Sequence, residues 1–234
     1  MNKGKWQKYV FLRKDSRLKR ALPKTRVFNE KNFWELLKKH RDVIVKPTNG
    51  SGGAGVIRIT ASGTKKYRVH REVKKRKFHN KRKLIRYLKK KLGKNSYIVQ
   101  QRIHLAKYNH RPFDIRIMVQ RRKRKPWKVT GRLVKVAGPG YIITNTARSK
   151  GKVIPLKQAV VSSVVRKKLN KIALQAAKCL SRHYRGLRVI GLDMAVDKKN
   201  KVWIIETNFA PATSLFLRLK DKSIYKRIIK YQKR

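Results

Sequence analysis

Three oxygen-bearing side chains fall at the ends of two apolar runs that flank one short turn. Asp193 lies in "GLDMAVD", Glu206 and Asn208 lie in "IIETN", and "DKKNK" joins the two runs. If the runs pair as strands, Asp193 and Glu206 stand on neighbours, and Glu206 and Asn208, two apart, point to one face. Two carboxylates and a carboxamide oxygen are hard ligands. They suit Mg²⁺, which takes a few carboxylates together with phosphate oxygens and water. Two carboxylates set side by side would push one pKa far up unless a cation lay between them, which favours a metal over a bare pair. The plainer alternative is that Asp193, Glu206 and Asp114 (in "RPFDIRIMVQ") form buried salt bridges to Arg and Lys.

The stretch "KPTNGSGGAGV" has the chemistry of a phosphate cradle. Gly50, Gly52, Gly53 and Gly55 permit positive φ and close backbone approach, so successive N–H groups can point at phosphate oxygens. Lys46, ending the preceding strand, can reach the same phosphates as a point charge. Walker A and Rossmann loops both lead into a helix, whereas this loop leads into the β-patterned "VIRIT", so neither applies. An ordinary glycine-rich hairpin remains the alternative. A further set supplies positive and amide groups: Arg116 shares a strand face with Asp114, Lys135 lies on the next strand, and Asn145 lies in "YIITNT". An Arg beside a metal–phosphate centre stabilises charge on a transferred phosphoryl group.

The rest of the chain must position these groups. Its 67 Lys and Arg against 10 Asp and Glu give a net charge of +57, so any polyanion is attracted, nucleic acid included, at low salt. No RRM, KH or helix-turn-helix signature accompanies that charge. Forty per cent hydrophobic residues argue for a folded core, and the single Cys179 excludes an internal disulfide or a multi-cysteine metal site. With no apolar h-region and no membrane-length run, a soluble, intracellular protein is expected.

Asn29 caps a helix to about His40; "DVIVKP", "VIRIT" and "KKYRVHREV" read as strands; residues 80 to 92 carry a helical stripe; and "SYIVQQRI" is a strand. The second half reads as a hairpin from "PFDIRIMVQ" across "RRKRKP" to "WKVTGRLVKVA", a strand "GYIITNT", one helix from Pro155 to about His183, paired strands, and a basic amphipathic end. The expected architecture is α+β: a small lobe followed by a larger, mainly antiparallel one. The divisions fall at 1–27 for a lead-in segment, 28–101 for the small lobe and 102–234 for the large lobe.

In this order, "VKPTNGSGGAGVIRI", "YIVQQRI", "FDIRIMVQ", "YIITNT", "GLDMAVD" and "IIETNFAP" together resemble the ATP-grasp ligases. The nearest likeness is to the YheC/YheD-type ATP-grasp proteins associated with the endospore coat, across about residues 6 to 232. The resemblance implies ATP held between two α+β lobes. It gives Lys46 to the α/β-phosphates, and Gly50, Ser51, Gly52, Gly53 and Gly55 to a flap over them. Backbone around Gln101 to Ile103 would meet the adenine edge. Asp193, Glu206 and Asn208 would bind magnesium, and Arg116, Lys135 and Asn145 would hold the γ-phosphate or the acceptor carboxylate. The implied reaction is ATP-dependent joining of a carboxylate to an amine through an acylphosphate, with an acidic protein or peptide as acceptor and a cytoplasmic or spore-coat setting. The alternative is a non-catalytic, polyanion-binding coat protein that keeps the fold.

Overall fold

The computed structural model describes residues 4–50, 52–63, 65–139, 144 and 151–232. Two six-stranded sheets organise them, and all of their pairings are antiparallel. The chain starts with α1 (Lys5–Lys14) and α2 (Ser16–Lys19), elements absent from the sequence reading of this lead-in. The Asp15 side chain accepts from the Arg17 N–H at 3.0 Å to cap α2, and from Gln175 Nε2 at 2.6 Å, pinning the segment to a distant helix.

The first sheet runs β1 (Thr25–Val27), β6 (Tyr97–Gln101), β2 (Asp42–Pro47), β3 (Ile57–Ser62), β4 (Lys66–Arg71), β5 (Lys74–Phe78). Strand alternation sends Val43, Val45, Ile57, Ile59, Tyr67, Val69 and Val99 to one face. There they meet the apolar stripes of α3 (Glu30–His40) and α4 (Lys81–Leu92). Asn29 and Asn80 cap those helices through their side-chain oxygens. The stretch "KKYRVHREVKKRKF" yields two strands where alternation predicts one, with the turn at Glu72 and Val73. Strand β5 has four consecutive cations and hence no polarity pattern to read.

The second sheet is ordered β10 (Lys152–Ile154), β9 (Lys128–Val136), β8 (Arg111–Gln120), β11 (Val189–Val196), β12 (Val202–Asn208), with β7 (Lys107–Tyr108) paired to β8. Phe113, Ile115, Ile117, Val134, Ile190, Leu192, Met194 and Ile204 pack on one face against α6 (Ser163–His183), α1 and α2. The helix expected after Pro155 is split. A turn of helix, α5 (Leu156–Ala159), is followed by three non-helical residues, the last of which, Ser162, caps α6 through the Val165 N–H. On the opposite face, Met118, Leu133, Phe216 and Ile228 form a small core with a 3-10 turn (Ser214–Arg218) and α7 (Ser223–Gln232), the basic amphipathic end. Gly131 leaves room for that packing: a Cβ would lie 2.6 Å from Ile228 Cδ1 and 2.8 Å from Phe216 Cε1, so the buried side chains would have to shift. The strand expected at "GYIITNT" lies, but for Thr144, outside the described residues.

Candidate functional site: a cationic cleft between the sheets

The register fixes where the oxygen ligands point. Asp193 is opposite Glu206 and Gly191 is opposite Asn208, with a bulge between Asp193 and Met194. Val202 and Ile204 face the core, so strict alternation would turn Glu206 into the core as well. The pairing steps from Ile204 to Glu206, and the extra residue, Ile205, re-aims Glu206 and Asn208 onto the face of Asp193. That face also carries Asp114 and Arg116 of β8 and Lys135 of β9, all buried.

Asp193 is heavily engaged. Arg116 forks onto it, with Nε at 2.7 Å and Nη2 at 3.1 Å, and Lys135 Nζ donates at 2.9 Å. Burial opposes ionisation of Asp193, but the charges of Lys135 and Arg116 outweigh it and hold the carboxyl well below its usual range. Lys135 also lies 3.1 Å from Asp114 Oδ1, and Thr144 Oγ1 donates to Asp114 Oδ2. Burial, only partly offset by Lys135, pushes Asp114 up to about 6. The salt-bridge alternative therefore describes Asp193 and Asp114 as they stand here.

Across the cleft, Lys46 projects from β2. Its ammonium donates to Gln100 Oε1 at 2.9 Å and to the Ile205 carbonyl, the bulged residue, at 3.3 Å. Gln100 is held in turn by Thr25 Oγ1 at 2.8 Å, so a buried relay from β1 through β6 orients Lys46. Burial lowers the Lys46 pKa against the pull of Glu206.

Two cations that the sequence reading missed complete the wall. Lys5 donates to the Gly50 carbonyl at 2.6 Å and lies 3.5 Å from Glu206, tying the glycine loop to β12 through α1. Lys8 donates to the Thr207 carbonyl, and burial lowers its pKa to about 8. A signal was present: Lys5, Lys8, Tyr9 and Leu12 share one helix face, and the latter three are buried. Among the described residues Lys5, Lys8, Lys46, Arg116 and Lys135 oppose Asp114, Asp193 and Glu206, a balance of two positive charges. Such an excess suits a polyanion that brings its own negative charge.

The remaining predicted residues fall as follows. Gly50, Gly52, Gly53 and Gly55 all adopt positive φ in the β2–β3 connection, and Gly50 and Asn49 line the same hollow as Glu206 and Asn208. The loop is thus a hairpin connection and part of the cleft wall at once. Gln101 ends β6, where its N–H donates to Lys24 O and its side chain accepts from the Lys24 N–H. The Ile103 side chain packs with Ala195 and Trp203. Ser51 and Asn145 lie outside the described residues.

A carboxylate and a carboxamide, oxygen donors of the kind Mg²⁺ takes, line one hollow. Glu206 and Asn208 open into the hollow, and the groups already beside the carboxylates are cations, Lys5 at Glu206 and Arg116 and Lys135 at Asp193. Among the described residues no three His, Cys, Asp or Glu cluster for a metal, so binding would depend on Asn208 and on oxygens from a ligand.

The sequence model of a family described as YheC/D-like ATP-grasp matches residues 2–233. Two curated relatives come from Bacillus subtilis (strain 168). The endospore coat-associated protein YheD is 27% identical over 223 residues, 91% of this chain and 49% of the relative. The endospore coat-associated protein YheC is 24% identical over 227 residues, 92% of this chain and 61% of the relative. The chain therefore spans about half to three-fifths of the length of these relatives. Among solved structures, the ATP-grasp ligase PsnB complexed with minimal precursor, Mg and ADP superposes with a TM-score of 0.53 at 15% identity, covering 96% of this chain and 57% of PsnB. At that identity the likeness shows the fold.

Proposed function

The chain belongs to the YheC/D-like ATP-grasp family, and from that premise we propose that it is a Mg²⁺- and ATP-dependent ligase joining a carboxylate to an amine. The observation that carries this reading is the cleft itself, where Lys46 of one sheet reaches the Ile205 carbonyl beside Glu206 of the other. The proposed division is a lead-in at 1–27, a small lobe at 28–101 and a large lobe at 102–234, with the nucleotide between the lobes. Glu206 and Asn208 would hold the metal, with Asp193 as a third oxygen donor shared with Arg116 and Lys135. A bound magnesium ion would neutralise phosphate charge and leave the γ-phosphorus open to attack.

The chain's own residues do the rest. Lys46 binds the α/β-phosphates, and Lys5 and Lys8 add charge from α1. The loop from Gly50 through Ser51, Gly52 and Gly53 to Gly55 covers the phosphates and excludes water, while backbone near Gln101 and Ile103 borders the adenine. Arg116 and Lys135 (joined by Asn145) orient the acceptor carboxylate against the γ-phosphate. A carboxylate oxygen of the acceptor then attacks the γ-phosphorus and ADP leaves. An amine attacks the acylphosphate carbonyl and loses a proton, and phosphate departs, leaving an amide.

An acidic protein or peptide is the proposed acceptor, and association with a spore coat is proposed from the names of the relatives. No described helix is long and apolar enough to cross a membrane. The reaction is tested by supplying ATP, Mg²⁺, an acidic peptide and hydroxylamine, which intercepts acylphosphates as hydroxamates. Hydroxamate and ADP should form together and depend on the peptide. ADP without hydroxamate would point to simple hydrolysis, and neither product under any acidic acceptor would sink the ligase reading.

A further inference from the structure

The first sheet has a second face, and its composition differs from that of its core. Opposite the face covered by α3 and α4, the strands present Lys46 and Gln100 at the cleft, then a series of cations running outward to the edge. The register sets them in rows: Arg58, His70 and Lys75 align across β3, β4 and β5, and Arg68 aligns with Lys77 in the next row. Lys66 continues the face beyond. Arg68, Lys75, Lys77 and Lys66 are exposed, and among the described residues no carboxylate pairs with them. The acid on this face, Asp42, is already bound by Arg58 at 2.8 Å and by Arg102 at 3.1 Å.

Like charges directly opposite on neighbouring strands destabilise a sheet. Lysines on an edge strand are commonly a guard against edge-to-edge aggregation, and that would account for β5. It does not account for Arg68 and His70, which sit on the interior strand β4, or for Arg58 on β3. The crowding is real at His70: its Nε2 is buried without a hydrogen-bond partner, and burial together with the charges of Lys75 and Arg58 depresses its pKa.

We propose that this face docks an acidic polypeptide segment in extended form and leads it toward the cleft. Along β4 (Lys66, Arg68) and β5 (Lys75, Lys77) the cations recur every second residue, about 7 Å apart, which is the interval at which an extended chain with alternate Asp or Glu presents its carboxylates. The aromatic residues of this lobe, Trp34, Tyr67, Phe78 and Tyr87, all pack on the covered face. Among the described residues the cationic face therefore carries no Phe, Tyr or Trp ring of the kind on which single-stranded nucleic acids stack. Because Lys46 and Gln100 belong to the same face, a chain lying on it runs toward the phosphate site, and in this respect the inference rests on the ligase reading for its purpose.

The test uses the full chain and a fluorescent oligoglutamate peptide, compared with a charge-matched single-stranded oligonucleotide, at roughly 0.15 M salt to suppress long-range attraction. One variant carries Arg68→Gln, Lys75→Gln and Lys77→Gln. Its control carries Lys167→Gln, Lys168→Gln and Lys171→Gln, which removes equal charge from exposed positions on α6. The face variant should bind the peptide about tenfold more weakly, as expected for three exposed charge contacts, and the control nearly as well as wild type. Equal losses in the two variants would show that diffuse net charge is responsible and overturn the proposal. Tighter binding of the oligonucleotide, lost in the face variant, would overturn it in favour of nucleic acid. ATP affinity, measured in parallel, should be unchanged in both variants. If wild type binds no ATP while the peptide result holds, the docking face stands and the ligase reading falls.

Discussion

Lys46→Met is expected to weaken ATP binding by about a hundredfold while leaving folding stability within about 1 kcal/mol of wild type. The two effects separate because Lys46 is an unfavourable residue for folding. Its ammonium is buried, burial lowers its pKa, and its direct partners are neutral: an amide oxygen and a carbonyl. Methionine fills a similar volume without a charge to desolvate, which offsets the lost hydrogen bonds. A bound polyphosphate, by contrast, loses charge-assisted contacts worth about 1.5–3 kcal/mol each. Calorimetric titration with ATP and thermal unfolding of the same preparation read the two quantities. A variant that binds ATP like wild type would remove Lys46 from the phosphate site. One that unfolds while wild type does not would make it a structural residue.

Asp193→Ala should have the opposite character and destabilise the fold by about 3–5 kcal/mol. The substitution strands two buried cations, Arg116 and Lys135; among the described residues Asp114 is then the one carboxylate left in salt-bridge contact with either, at Lys135. The sign with pH follows from the depressed pKa of Asp193. A carboxyl held below its unfolded value of about 3.9 contributes stability that is fully present above that value and is lost as pH falls through the lower, folded value. Asp114, pushed up to about 6, acts in the other direction: its burial disfavours folding at neutral pH and is relieved as pH falls through about 6. Denaturant unfolding at pH 7 and in acid should therefore show wild type and variant converging in acid. A gap of equal size at both would mean that the Asp193 ion pairs are not the source of the stability.

Much of this was legible because strand alternation is a strong signal wherever one face is buried. The pairing of Asp193 with Glu206 followed from two apolar runs and a short turn, and the β-patterned exit of the glycine loop excluded a loop-to-helix phosphate motif. The bulge at Ile205 was not legible, since an apolar residue followed by Glu reads as the end of a strand whichever way Glu206 points. Helix α1 was not legible because its four cations hide a short buried stripe, and the arrival of Lys5 and Lys8 in the cleft is decided by tertiary packing. Asp42, at the start of the strand-like "DVIVKP", is buried under Arg58 and Arg102, and because both partners are distant in sequence nothing local marks the pairing. The break between α5 and α6 occupies three residues without Gly or Pro to mark it.

On the proposed function, Glu206 and Asn208 would hold a magnesium ion that neutralises phosphate charge on ATP. The direct measurement is ATP affinity at moderately high salt, with and without Mg²⁺, for wild type and Glu206→Gln. Magnesium lowers the net charge of ATP, so attraction to a merely basic surface weakens when the metal is added. Mg²⁺ is expected to tighten ATP binding to wild type, and Glu206→Gln to lose this gain. Weaker binding with Mg²⁺ in both proteins would contradict it.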